Sequence, residues 1–141
     1  PPRRRPKGKG PGGKLGARLL RVRDLMHDDP PLVAEDTPMG EALVQISRRG
    51  FGVVGVTAHD GALVGIITDG DLRRHLDGLM THTAGEVMTR SPRTIGPEAL
   101  AGEALALMND RKITCLLVTG EDRSRPIGIL HVHDCLRAGV A

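Results

Sequence analysis

The chain carries one sequence pattern twice, at a spacing of 62 residues. The string Gly-Glu-Ala-Leu occurs at 40–43 and again at 102–105. After one inserted residue the spacing becomes 63, and the related strings Gly-Ile-Ile-Thr-Asp-Gly-Asp and Gly-Ile-Leu-His-Val-His-Asp lie at 65–71 and 128–134. A unit of about 60 residues is marginal as an isolated domain. The repeat therefore predicts two similar units that are stable only when packed together.

Each copy contains a helix with one apolar face. In the first copy Thr37 is the predicted N-cap and Pro38 the first helical residue, and Gly50 is predicted to end the helix. Apolar residues spaced for one helical face follow in both copies. They are Met39, Ala42, Leu43 and Ile46, and then Ala101, Ala104, Leu105 and Met108.

Two predicted strands follow the first helix, at 53–57 and 63–68, with an Asp-Gly hairpin signal at 60–61. Asp69 is the predicted cap of a second helix from about Gly70 to Asp77. The second copy repeats this order, so each unit is predicted to be β-α-β-β-α.

Helices can cover only one face of each small sheet, and the sister unit must bury the other. We therefore expect an α+β fold in which two repeats pack sheet to sheet with pseudo-twofold symmetry. The predicted divisions are a disordered basic leader at 1–14, a linker at 15–21, repeat one at 22–82 and repeat two at 83–141.

The formal net charge of +3 hides an asymmetry. Nine Lys or Arg and no acid lie in residues 1–23, and the remainder has a net charge of −6. A basic tail can bind nucleic acid, but the single aromatic residue, Phe51, provides no stacking surface, and we expect no such binding.

No apolar run suits a membrane span or a signal peptide. Cys115 and Cys135 have no metal or redox spacing, so we expect buried thiols and a cytoplasmic protein.

The two strand-to-helix junctions are the predicted ligand sites. In the first copy Thr68, Asp69 and Asp71 lie where a helix start can receive phosphate and a carboxylate can bind ribose hydroxyls. The alternative is that these side chains only cap the helix. The acid recurs as Asp134 in the second copy, which favours a ligand site.

The second junction replaces Thr68 by His131 and Gly70 by His133. Two histidines on one strand face could ligate a metal, but no third ligand is visible nearby, so a sugar or phosphate contact is preferred. Arg74 and Arg137 follow the two junctions as candidate phosphate contacts, or as solvated helix residues. The cations at 48–49 and 111–112 lie at helix C-termini, which the helix dipole explains.

Catalysis is not indicated, because no nucleophile-base grouping and no Walker-type phosphate loop occurs. We therefore expect no enzyme activity from this chain, and no required cofactor.

The repeated strings resemble the cystathionine β-synthase (CBS) domain in its tandem form, over residues 22–141. A narrower resemblance, to bacterial D-arabinose 5-phosphate isomerases, rests on the segments at 11–27, 68–74 and 131–140. That family has an N-terminal sugar-isomerase domain, which serves Kdo and lipopolysaccharide synthesis and is not in this sequence.

The resemblance implies a regulatory module that binds a nucleotide such as AMP or ATP, or CMP-Kdo, between the repeats. It implies that Thr68 and Asp71 hold one ligand and that His131 and Asp134 hold another. Expected partners are a sugar-isomerase domain and a second copy of the chain in a homodimer. The alternative function is a purely structural dimerisation module that binds no ligand.

Overall fold

A computed structural model describes Gly16 and residues 19–140. The predicted leader at 1–14 and part of the linker lie outside the described residues. The elements are α1 (Val22–Leu25), β1 (Leu32–Ala34), α2 (Met39–Arg49), β2 (Val54–Thr57), β3 (Leu63–Ile67), α3 (Asp69–Arg74), a 3₁₀ turn (Leu79–Thr81), α4 (Ala84–Val87), β4 (Thr89–Arg90), β5 (Thr94–Ile95), α5 (Ala101–Arg111), β6 (Cys115–Thr119), β7 (Pro126–His131) and α6 (Val132–Arg137).

The strands form two sheets, with the orders β1-β2-β3-β4 and β5-β6-β7. In each, the first strand is parallel to its neighbour and the following pair is antiparallel. A shared core lies between the sheets, where Val53 packs with Cys115, Leu117 and Ile129. The predicted α+β fold with sheet-to-sheet packing is confirmed.

The two long helices bury the predicted faces. Met39 and Ala42 of α2 are fully buried, and Leu43 and Ile46 pack against the same cluster. All four predicted residues of α5 are buried. Gly50 ends α2 in the left-handed region, as predicted.

The starts of two helices differ from the prediction. Helix α2 begins at Met39 after Pro38, because the Thr37 hydroxyl accepts a hydrogen bond from the backbone N–H of Ala34 instead of capping the helix. Thr68, rather than Asp69, is the N-cap of α3. Helix α3 also ends at Arg74, earlier than predicted.

The opening segment of each repeat packs on the other repeat. Val22 of α1 is buried in the core of repeat two, and Ala84 and Val87 of α4 are buried in the core of repeat one. Correspondingly, β4 pairs with β3, and His27 forms an antiparallel bridge with Ile129 of β7. This exchange brings residues distant in sequence to each strand-to-helix junction.

Candidate functional site

The first junction is organised around the carboxylate of Asp71, whose side chain is 2% exposed. One oxygen accepts the backbone N–H of Thr68 at 2.9 Å and the Thr68 hydroxyl at 3.2 Å. The other accepts Arg74 at 2.6 Å and the hydroxyl of Thr89, which β4 brings from the second repeat. Four donors occupy the four acceptor positions that a carboxylate offers.

These partners decide the charge of Asp71. Burial opposes its ionisation, but hydrogen bonds from Thr89, Thr68 and Arg74 outweigh that effect and lower the pKa of Asp71 below its ordinary value of 3.8. The carboxylate is therefore ionised at neutral pH and holds the two repeats together at this junction.

A cavity of about 640 Å³ opens beside this junction, between the two repeats. Thr68, Asp69 and Asp71 line it, as does Thr89. Residues from both repeats complete the wall, and its apolar part includes Val53, Ile66 and Ile113. Cationic side chains also line it, namely Arg73, Arg93, Arg111 and Lys112.

The thiols are buried, as predicted. Cys115 lines the cavity, and its Sγ lies 3.4 Å from the carbonyl oxygen of Phe51. Burial raises the pKa of Cys115 and of Cys135 to about 11. Both are therefore uncharged thiols at neutral pH and are not nucleophiles.

The second junction uses the same acid with different partners. Asp134 accepts the backbone N–H of His131 at 2.9 Å and Arg137 at 2.8 Å. In place of a hydroxyl, Nε2 of His27 lies 3.1 Å from both carboxylate oxygens. The His27 ring also packs edge-on against Phe51, with 5.1 Å between ring centroids.

His131 serves as the helix cap. Its Nδ1 accepts the backbone N–H of His133 at 3.0 Å, so the proton of the neutral ring lies on Nε2. Burial, followed by the nearby His133, lowers the pKa of His131 below 6.5.

The prediction that the two histidines share one strand face was wrong, because His131 ends β7 whereas His133 lies in α6. Within the described part of the chain, no cluster of three or more His, Cys, Asp or Glu could hold a metal ion.

A smaller cavity of about 480 Å³ lies near the second junction. His27, Arg49 and Phe51 are among its lining residues, together with Asp28 and Asp29. None of the four residues predicted for the second site lines it; these are His131, His133, Asp134 and Arg137.

The sequence interpretation missed the partners that come from the opposite repeat. Thr89 and His27 occupy equivalent positions, 62 residues apart, and each contacts the acid of the other repeat. Their equivalence was visible in the sequence, but their contact with a distant acid was not. The interpretation of Arg111 and Lys112 as residues placed by the helix dipole also omitted that they line the larger cavity.

The helices of the described residues include none that is both long and apolar enough to cross a membrane.

Curated relatives align with most of this chain. The arabinose 5-phosphate isomerase KdsD of Pseudomonas aeruginosa is 46% identical over 136 residues, which cover 92% of this chain and 41% of the relative. KdsD of Escherichia coli K12 is 40% identical with the same coverage. The chain thus spans about two fifths of the length of the relatives it matches.

Two solved structures with the same fold contain bound nucleosides or nucleotides. CBSX2 of Arabidopsis thaliana in complex with AMP has a TM-score of 0.72 and 26% identity, covering 84% of this chain and 95% of CBSX2. The CBS domain pair of protein MJ0100, in complex with 5′-methylthioadenosine and S-adenosyl-L-methionine, has a TM-score of 0.73 and 25% identity. It covers 83% of this chain and 97% of that chain.

The family model of the CBS domain matches twice, at residues 22–78 and 84–141. These two matches coincide with the two sequence copies whose sheets face each other across the shared core. The chain therefore belongs to the CBS domain family, as a tandem pair.

Proposed function

We propose that this chain is the regulatory ligand-binding module of a D-arabinose 5-phosphate isomerase, and that it binds a nucleotide or nucleotide sugar. The observation that carries the proposal is the cavity of about 640 Å³ between the repeats, which includes Thr68 and Asp69 of the predicted site. Its volume lies in the range of small-molecule sites, roughly 300–1,000 Å³.

The lining suits the parts of a nucleotide. Val53, Ile66 and Ile113 offer an apolar surface for a base. The exposed carboxylate of Asp69 can accept hydrogen bonds from ribose hydroxyls, and so can the partly exposed Thr68 hydroxyl, whose own proton is donated to Asp71. The cationic side chains of the lining suit the phosphate. Each part of such a ligand has a matching surface on one wall.

Asp71 has a different role in the proposal. Its acceptor positions are already filled by Thr68, Arg74 and Thr89. We therefore assign Asp71 and Arg74 as positioning residues that hold Thr68 and Thr89 at the cavity wall. By the same reasoning Asp134 and Arg137 position His27. His131 accepts the backbone N–H of His133, so the two histidines close the start of α6.

The similarity to KdsD supports an isomerase partner domain, with this chain as its regulator in the cytoplasm. The AMP bound by CBSX2 supports a nucleotide, and CMP-Kdo is the candidate specific to the Kdo pathway. Regulation requires that the ligand bind one arrangement of the two repeats more tightly than another. Binding then raises the fraction of molecules in the favoured arrangement, and the conformation of the partner domain changes with it.

Calorimetric titration of this chain with AMP, ATP, CMP and CMP-Kdo tests ligand binding. Thr114, an exposed residue of the cavity wall, is replaced by Trp to fill the cavity. Glu121→Trp, on the exposed turn after β6, is the matched control. We expect binding by the parent chain and by Glu121→Trp, and a loss of at least about tenfold in Thr114→Trp. The absence of binding by all four ligands contradicts the proposal.

A chimera with the catalytic portion of the Pseudomonas aeruginosa relative tests regulation. Its arabinose 5-phosphate isomerase activity should change on addition of the ligand that binds, whereas this chain alone should show no turnover. Activity that ignores a bound ligand would contradict the regulatory role.

Exposed apolar side chains favour a second candidate function, dimerisation. Leu76, Met80 and Leu136 are 70%, 65% and 54% exposed, and they lie on or beside helical elements. Burial in a homodimer would remove this apolar surface from water. Sedimentation analysis should show a dimer that Leu76→Ser with Met80→Ser dissociates. A monomeric parent chain would exclude this function.

A further inference from the structure

The larger cavity is surrounded by cations from separate parts of the fold. Arg73 lies in α3, Arg93 precedes β5, Arg111 ends α5, and Lys112 follows it. All four are exposed, and among the described residues none of them forms an ion pair. Their charges are therefore available to a ligand in the cavity.

The sister repeat shows that the fold does not require these charges. Leu136 occupies the position equivalent to Arg73, Pro31 that of Arg93, and Gly50 that of Lys112. Arg111 alone has a cationic equivalent, Arg49, whose charge is paired with Asp29 at 3.5 Å. The larger cavity thus has four unpaired cations among the described residues, whereas the four equivalent positions in the sister repeat have none.

Backbone conformation marks the same cavity. Ser91 and Lys112 are the non-glycine residues with positive φ in the described chain, at 53° and 57°. Both line the larger cavity. Gly50 fills the position equivalent to Lys112, where a left-handed residue without a side chain is unstrained. Lys112 ends α5 in this conformation as Gly50 ends α2, but it places a side chain at the cavity wall where Gly50 has none.

We infer that the larger cavity selects a ligand with several negative charges and that one such ligand binds per chain. The ligand class is a nucleotide that carries more than one anionic group, either a polyphosphate or a phosphate joined to a sugar carboxylate. This inference rests on the proposed function and specifies its ligand. Asp71 is already paired with Arg74, so Asp69 is the one acid at this wall that offsets the four cations.

The charges that line the smaller cavity are the reason to expect no second ligand there. Arg49 is paired with Asp29 and Arg23 with Glu98. His27 contacts Asp134, and the exposed Asp28 adds a carboxylate with no ion-pair partner among the described residues. A polyanion would therefore meet paired cations and one unpaired carboxylate there.

Calorimetric titration with a charge series tests both parts. The series is adenosine, AMP and ATP, the matching cytidine compounds, CMP-Kdo and inorganic triphosphate. We expect affinity to rise roughly tenfold from the monophosphate to the triphosphate, with one ligand per chain. CMP-Kdo has a phosphodiester and a carboxylate, so its net charge is close to that of CMP. Tighter binding of CMP-Kdo than of CMP would therefore reflect the separation of its two anionic groups. The advantage should shrink as salt is added, because exposed charges are screened. Comparing ATP or CTP with CMP-Kdo distinguishes the polyphosphate from the sugar acid.

Substitutions of the cavity arginines test which residues cause the preference for a multiply charged ligand. Arg93→Gln with Arg111→Gln should lower the affinity for the multiply charged ligand by about tenfold or more and leave that for the nucleoside unchanged. Arg49→Gln, at the equivalent position of the other cavity, is the matched control and should change neither affinity. Thermal unfolding of each variant shows that the fold is intact.

The outcomes separate the two proposals. Equal affinities for a mono- and a triphosphate, with CMP-Kdo no tighter, overturn the charge selectivity and leave nucleotide binding intact. Two ligands per chain, or equal losses in Arg49→Gln and in the double variant, overturn the single-site assignment. Binding of no nucleotide overturns the proposed function itself.

Discussion

The two strand-to-helix junctions share an aspartate and differ in the residue that reaches it from the opposite repeat. Thr89 donates a hydroxyl to Asp71, whereas His27 brings an imidazole to Asp134. The helix cap changes in parallel, from Thr68 to His131. A hydroxyl leaves room at the cavity wall, whereas an imidazole is bulkier. The duplicated junction has therefore become one open polar site and one site filled by histidines.

The largest expected difference between the junctions is in stability. Asp71→Ala leaves four donors without their acceptor and should lower the free energy of unfolding by about 3 kcal/mol. Asp134→Ala should cost less, about 2 kcal/mol, because His27 and Arg137 are exposed enough to be hydrated. Urea unfolding measures both, with the exposed Asp77→Ala as control. Equal losses in the two variants would contradict the comparison.

A smaller effect tests the exchange of opening segments. Gly65 and Gly128 occupy equivalent positions, and each is crossed by the backbone of the opposite repeat. A Cβ would lie 2.9 Å from the carbonyl oxygen of Thr89 at Gly65 and 2.8 Å from that of His27 at Gly128. Alanine at either position should destabilise the chain by about 2 kcal/mol.

Gly102 provides the control for this test, since a Cβ there has no neighbour within 4 Å and the residue is helical. Gly102→Ala should be neutral or stabilising. Thermal unfolding of the three variants checks the expectation, and a stable Gly65→Ala protein would contradict the close crossing.

The smallest expected effect is the pH dependence that distinguishes the junctions. The pKa of His131 is lowered, so the unfolded chain binds more protons than the folded chain as pH falls through 6.5. That part of the stability is lost on acidification. The pKa of Asp71 is also lowered, and its contribution is lost only below 3.8. Between about pH 7.5 and pH 5, therefore, only the His131 junction should weaken.

His131→Thr, which restores the residue of the first junction, should flatten the stability profile over that range. Urea unfolding at the two pH values measures the change. His59→Gln, on the exposed hairpin turn, is the control and should leave the profile as it is in the parent chain. An unchanged slope in His131→Thr would show that another group carries the pH dependence.

Local patterns predicted the elements well because they depend on near neighbours. The apolar spacing of α2 and α5 and the left-handed Gly50 were correct. The starts of α2 and α3 were wrong by one residue, because the choice among neighbouring capping residues depends on backbone geometry. At Thr37 the hydroxyl bonds Ala34, and at the second helix Thr68 precedes Asp69 as the cap.

The sequence by itself determined the duplication, the β-α-β-β-α order and the acid at each junction, because these follow from composition and period. Tertiary structure alone decided which residues meet those acids. The exchange of α1 and α4 between the cores places Thr89 beside Asp71 and His27 beside Asp134, across 18 and 107 residues of sequence. It also places Arg93 with Arg73 at one cavity wall. Such contacts depend on how the two sheets face each other, which no local pattern encodes.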